Sequence, residues 1–225
     1  MDPKSDKYSS WNGFNYALDN PIKFIDPDGK DIVLGMKNND TRINILNHLR
    51  SLTTDKLDVS EDGRIHIVQK NHSGKREGRL LIRNLIEGVR QKDGSLKIAI
   101  VTIKEASGNG ANPADNNGNT TDESIENSRN GTGTGTLVLF NPTDQGTRIV
   151  NEDGSTGRPP SIGLAHELIH AENNLNGTNT RHIPTNIPNP DPGASRNLSD
   201  EERKVRKREN LIRRENNVVD RKVID

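Results

Sequence analysis

The sequence predicts an α+β fold in which a small twisted sheet carries one strongly marked helix. Three observations predict it. Residues 159–177 read as a helix with both ends signalled. Pro159 and Pro160 open it, Ser161 can cap its first amides, and Gly177 can close it in the left-handed conformation. Short segments elsewhere carry the period-two alternation of strands. Hydrophobic residues make up only 28% of the chain, against about 45–50% in a typical domain when glycine is counted too. The core is therefore modest and the loops are long and polar.

Residues 31–36 read as a short strand, and 41–52 place Ile43, Leu46 and Leu49 at helical spacing. Ile65 and Ile67 alternate around His66 after the turn residues Asp62 and Gly63, which suits another strand. Residues 78–90 put Leu81, Leu85, Ile86 and Val89 on one helical face. In 96–104 apolar residues fall on both alternating sets, so this strand is expected to be buried on both sides. Residues 106–135 are rich in Gly, Asn, Ser and Thr and are expected to form one long loop. A strand at 137–140 follows, expected at the sheet edge, where an extended peptide could add to it. Residues 178–198, with four prolines, are expected to cross irregularly. A last helix then starts at Ser199, with Glu202 completing a capping box.

The whole-chain balance excludes several classes. With 32 basic and 32 acidic side chains, charge implies neither a nucleic-acid nor a membrane partner. The absence of cysteine excludes disulfides and a thiolate metal site. No apolar run reaches membrane-spanning length, and the first residues do not form a signal peptide. Export is therefore expected to depend on other sequence, such as a larger parent chain.

The chemistry lies in the 159–177 helix. Leu164, Leu168, Ala171 and Leu175 form its apolar stripe, and on another face His166, Glu167 and His170 spell HExxH. Two imidazoles on successive turns can both reach one ion at about 2.0–2.1 Å. Glu167 follows the first ligand and points beside the ion, where it can serve a water as general base. This predicts a zincin-like arrangement with Zn2+ as cofactor, His166 and His170 as ligands and Glu167 as the catalytic residue.

A catalytic zinc needs a third ligand. The extension that supplies it in metzincins would require Gly at position 173 and His at 176, and both are Asn. In the last helix Leu198, Val205, Ile212 and Val219 repeat every seven residues, and Glu209 stands beside that stripe in mid-helix. A carboxylate directed inward needs a cation. Glu209 is the expected third ligand, supplied by the C-terminal helix; His182 and the acidic run Asp200, Glu201 and Glu202 stay as alternatives.

Residues 1–30 differ in composition. Tyr8, Trp11, Phe14, Tyr16 and Phe24 lie there, and Phe140 is the one aromatic residue beyond them. The segment ends Asn20-Pro21 and Asp26-Pro27-Asp28-Gly29, and over these thirty residues it resembles the end of the core region in RHS/YD-repeat proteins. That resemblance implies two units: 1–30 as the tail of an RHS core, and 31–225 as a variable C-terminal domain, often a toxin. It also makes a cognate immunity protein a candidate partner.

From about residue 75 a second resemblance applies. The elements are Gly78-Arg79-Leu80-Leu81, Gly133-Thr134-Gly135-Thr136, the HELIHA run at 166–171, and Glu209-Asn210-Leu211-Ile212-Arg213-Arg214-Glu215. Together they are similar to effector zinc metallopeptidases of the NleD type. The resemblance implies a zinc endopeptidase that is secreted or delivered into a target cell to hydrolyse a protein. It supports His166, Glu167 and His170 directly, and Glu209 with them. One departure is that no tyrosine lies beyond residue 16, so a phenol cannot stabilise an oxyanion; Arg213, Arg221 or His182 would have to. Two rival readings are a non-catalytic zinc-binding or interaction module carried as cargo, and an RHS self-cleavage site at Asp26 and Asp28.

Overall fold

The computed structural model describes residues 31–87, 100–106, 120–121, 125–194 and 197–224. The segment 1–30, Val89 and residues 96–99 of the expected fourth strand lie outside these. In chain order the elements are β1 (Asp31–Leu34), α1 (Asn39–Leu52), β2 (Lys56–Val59), β3 (Ile65–Gln69), α2 (Arg76–Glu87) and β4 (Ile100–Glu105). They continue with β5 (Thr120–Thr121), α3 (Ile125–Asn130), β6 (Thr136–Phe140), α4 (Pro160–Asn176) and α5 (Asp200–Glu215). The mixture is α+β.

The main sheet runs β1-β4-β6-β5, with β1, β4 and β6 parallel and β5 antiparallel to β6. One face is the core face: Ile32, Leu34, Val101, Ile103, Val138 and Phe140 alternate along their strands and are fully buried. The opposite face of β4 is not, since Ile100 is 42% exposed. Burial on both sides of this strand is thus overturned for its described part, because among the described residues its alternate set has no comparable layer over it. The expected edge position of 137–140 is also corrected. β6 lies between β4 and β5, with Thr120 opposite Leu139 and Thr121 opposite Val138. The polar stretch 106–135 accordingly contains a strand and the short helix α3. Pairing with β6 satisfies its backbone groups without needing apolar side chains. β2 and β3 form a separate antiparallel pair.

Asn38 caps α1, its Oδ1 accepting from the amides of Asp40 and Thr41. The buried stripe of α1 is Ile45, Leu46, Leu49 and Leu52; Ile43 falls off its centre and is 42% exposed. In α2 the buried residues are Gly78, Leu81, Ile82 and Leu85. Its N-terminus is capped from elsewhere: the Glu215 carboxylate, at the end of α5, accepts from the amides of Glu77 at 2.6 Å and Gly78 at 3.0 Å. Gly78 is required by a close approach, since a Cβ there would overlap the carbonyl oxygen of Leu52. Gly78→Ala is expected to cost about 1–3 kcal/mol by overpacking. That is a fall in Tm of roughly 2–12 °C, at about 2–4 °C per kcal/mol; thermal melts by circular dichroism check it.

α4 begins at Pro160 with Pro159 as N-cap and no side-chain cap, so Ser161 lies one residue inside the helix rather than capping it. The fixed φ of the two prolines does that work. Gly177 closes the helix at φ 65°, and the amide of Thr178 donates to Asn173 O at 2.9 Å. Buried residues surround α4 rather than forming one stripe, because α1, α2, α5 and β6 all pack on it. α5 is capped by Ser199, whose Oγ accepts from the Glu202 amide at 3.1 Å. Leu198, Val205 and Ile212 are buried as expected, but Val219 is 43% exposed because the helix stops at Glu215. Residues 178–198 hold neither helix nor strand among their described members.

Candidate metal centre

α4 and α5 pack on each other, and the first two turns of α5 reach the HExxH turn of α4. The imidazoles of His166 and His170 stand edge-on, ring centroids 4.9 Å apart. Both Nε2 atoms face one oxygen: Glu202 Oε2 is 3.3 Å from each. Ligand atoms of His166, His170 and Glu202 all lie within 4.8 Å of one another.

The other ring nitrogens are held from behind. His166 Nδ1 is 2.8 Å from Glu209 Oε2, and His170 Nδ1 is 3.1 Å from Glu201 Oε1. An ionised carboxylate only accepts, so each Nδ1 donates and each Nε2 of a neutral ring turns its lone pair to the centre. With both rings neutral, two lone pairs and an anionic oxygen would converge with like polarity, which a proton at His170 Nε2 or a metal cation relieves. Carboxylates behind the far nitrogens are the usual partners of metal-bound histidines. Burial works against charge on His170, yet hydrogen bonds to Glu201 and Glu202 outweigh it and push its pKa up to about 10. Burial likewise opposes ionisation of Glu202 and Glu209; His166 beside the first and Arg158 beside the second outweigh it and hold both well below the usual carboxylate range. The pocket favours positive charge at His170, and protons and metal would compete for it.

Glu209, the expected third ligand, lies apart from the group of His166, His170 and Glu202. It is fully buried and inward-facing, but its cationic partners are guanidiniums. Arg213 Nε donates to it at 2.7 Å, while Arg158 Nη1 and Arg221 Nη1 stand 3.5 and 3.4 Å away. Glu202, one of the alternatives, takes the place beside the two Nε2 atoms. It precedes Glu209 by seven residues, two turns on the same side of α5. That spacing was the available signal, hidden because an acidic residue in a first turn is already accounted for by the helix dipole. Ser199 does accept from the Glu202 amide, but the Glu202 side chain serves the histidines instead of closing a capping box. His182 is not part of the group, and Asp200 pairs with Arg203 and Lys204.

Glu167 is buried and lies near enough to His170 to act on it electrostatically, yet stands outside the ligand group. Arg213 and Arg221, expected candidates for oxyanion stabilisation, are buried on carboxylates instead. Arg213 binds Glu209, Asn151 and the Val219 carbonyl; Arg221 binds Asp191 and faces Glu209.

The model of the peptidase M91 family, described as effector protein, matches residues 68–223. The chain belongs to that family, the NleD type of effector metallopeptidase. No curated protein matches it. The matched span covers α2 to α5 and runs on past Arg221. In this M91 domain four of the five charged and amide residues of the Glu209-to-Glu215 motif serve the site or its frame, and Arg214 pairs with Asp220. Glu209 backs His166, and Arg213 holds Glu209. Asn210 clasps the backbone of Arg221, donating from Nδ2 and accepting at Oδ1, and Glu215 caps α2. The chain is thus a peptidase-family effector. Among the described residues no helix is long and apolar enough to cross a membrane.

Proposed function

We propose that this M91 domain is a zinc-dependent endopeptidase in which His166, His170 and Glu202 hold the metal and Glu167 is the general base. The observation that carries it is the convergence of two Nε2 atoms and Glu202 Oε2, with both Nδ1 atoms engaged by carboxylates. A bound zinc ion supplies Lewis acidity, acidifying a water and polarising the scissile carbonyl. Glu167 takes the proton of the attacking water and returns it to the leaving amine. Glu209 and Glu201 fix the ring orientations. Three protein ligands leave a position for substrate, as catalytic rather than structural zinc sites do.

The family description supports a protein substrate met after delivery into another cell, and the sequence of 1–30 supports carriage by an RHS-type parent with an immunity protein as partner. Metal analysis of the purified protein, with a peptide-library digest, tests the central reading. About one zinc per chain is expected, and His166→Ala should lose it. Stoichiometric zinc in that variant would sink the assignment; zinc without any cleavage would favour the non-catalytic module.

The unit boundary is proposed at residue 30. Residues 31–225 are expected to fold and bind zinc alone, because the aromatic-rich segment belongs to another core. A truncated protein that is insoluble, or unfolded by circular dichroism, would make the segment integral.

A further inference from the structure

We propose that Arg221, on the segment after α5, is a positioning residue for the metal centre. With Arg206 it engages Oε1 of Glu202, so that only Oε2 faces the imidazoles. The inference rests on the metal reading above.

The two oxygens of Glu202 have different surroundings. Oε2 is 3.3 Å from both Nε2 atoms. Oε1 accepts from Arg206 Nε at 2.7 Å and lies 3.6 Å from Arg221 Nη1. The same Nη1 is 3.4 Å from Glu209 Oε2, the oxygen that receives His166. Arg221 Nη2 donates to Asp191 Oδ2 at 2.5 Å, and Asp191 also receives Arg206 at 2.9 Å. One guanidinium thus spans a proposed ligand, the carboxylate behind another, and the Pro-rich crossing. A planar fork can do this; a point-charge ammonium cannot.

The backbone of Arg221 is fixed as tightly. Its amide donates to Asn210 Oδ1 at 2.7 Å, its carbonyl accepts from Asn210 Nδ2 at 2.9 Å, and it bridges to Asn151. Its side chain is 6% exposed. Burying a charge is costly unless it is paired, so a purely space-filling role would not call for arginine here. The consequence is chemical. A carboxylate with both oxygens free can offer both to a cation, closing the position a substrate needs. With Oε1 hydrogen-bonded to Arg206 and faced by the Arg221 cation, Glu202 would offer one oxygen and donate less charge, leaving a bound metal the stronger Lewis acid.

The test uses the full chain. Zinc affinity is measured by competition with a chromogenic chelator, and coordination by the visible spectrum of the cobalt(II)-loaded protein. Arg221→Met is expected to shift zinc affinity about 10–100-fold, the usual size of an effect of an outer partner. It should also dim the cobalt spectrum, because cobalt(II) of higher coordination number absorbs less. Arg208→Met removes the α5 partner of buried Glu172 on α4, and should lower the melting temperature while leaving the spectrum unchanged. Arg221→Lys keeps the charge and secures a folded variant; it should dim the spectrum with a smaller shift in affinity. If the parent binds zinc and folded Arg221 variants match it in affinity and spectrum, this inference falls alone. If the parent binds none, the metal reading falls and takes this with it. A crystal structure of the zinc-loaded parent with both Glu202 oxygens on the metal overturns the proposal whatever the variants do.

Discussion

Glu167→Gln is expected to leave the protein folded and zinc-loaded while peptide cleavage falls by about 10²–10⁴-fold or more, the usual share of general acid–base catalysis. Glutamine keeps the volume and length of glutamate, so the packing of buried α4 survives. Glu167 stands outside the group of His166, His170 and Glu202, so the metal should survive too. What disappears is a group able to take a proton from water and pass it to the departing amine. Zinc content, melting temperature and peptide cleavage, measured beside the parent, decide it. Toxicity in a susceptible cell should fall in step if cleavage is the toxic act. Full cleavage by a zinc-loaded Glu167→Gln protein would mean that the HExxH helix is not the catalytic element.

Where local rules govern, the sequence foretold the structure well. Gly177 closes α4 because a left-handed residue is needed there, and Ser199 caps α5 because its hydroxyl meets an orphan amide. The strand at β6 and the helices α1 and α2 announce themselves by period. Errors arose where tertiary partners decide. Thr120 and Thr121 form a strand because β6 offers a free edge, which no property of two threonines reveals. Ile100 had the composition of a buried residue but not the neighbours. At the site, HExxH located one half of the centre. For the other half, helix position alone could not rank two inward carboxylates a heptad apart. Their different placement rests on residues distant in sequence: Arg158 and Arg221, which converge on Glu209, and the rotation of α5 that aims Glu202 at the imidazoles.

Glu202→Gln and Glu209→Gln should therefore fail in different ways. An amide in place of Glu202 is neutral and a poor zinc ligand, so zinc affinity is expected to fall well beyond the 10–100-fold typical of an outer partner. Folding should largely persist, since Arg206 keeps Asp191 and Asn189. Glu209→Gln acts the other way. Arg213 is fully buried on Glu209, with Arg158 and Arg221 close by. Removing that charge leaves guanidiniums unpaired in the interior, and breaking a buried pair typically costs about 3–5 kcal/mol. Its main expected effect is a lower melting temperature, with zinc weakened about 10–100-fold because a neutral amide replaces the charged acceptor behind His166 Nδ1. His182→Ala should change neither property. Chelator competition and thermal melts on the three variants separate these outcomes. A folded but metal-free Glu209→Gln protein, beside a Glu202→Gln protein that retains stoichiometric zinc, would return the ligand role to Glu209. It would also require α5 to turn from the orientation that now aims Glu202 at the imidazoles.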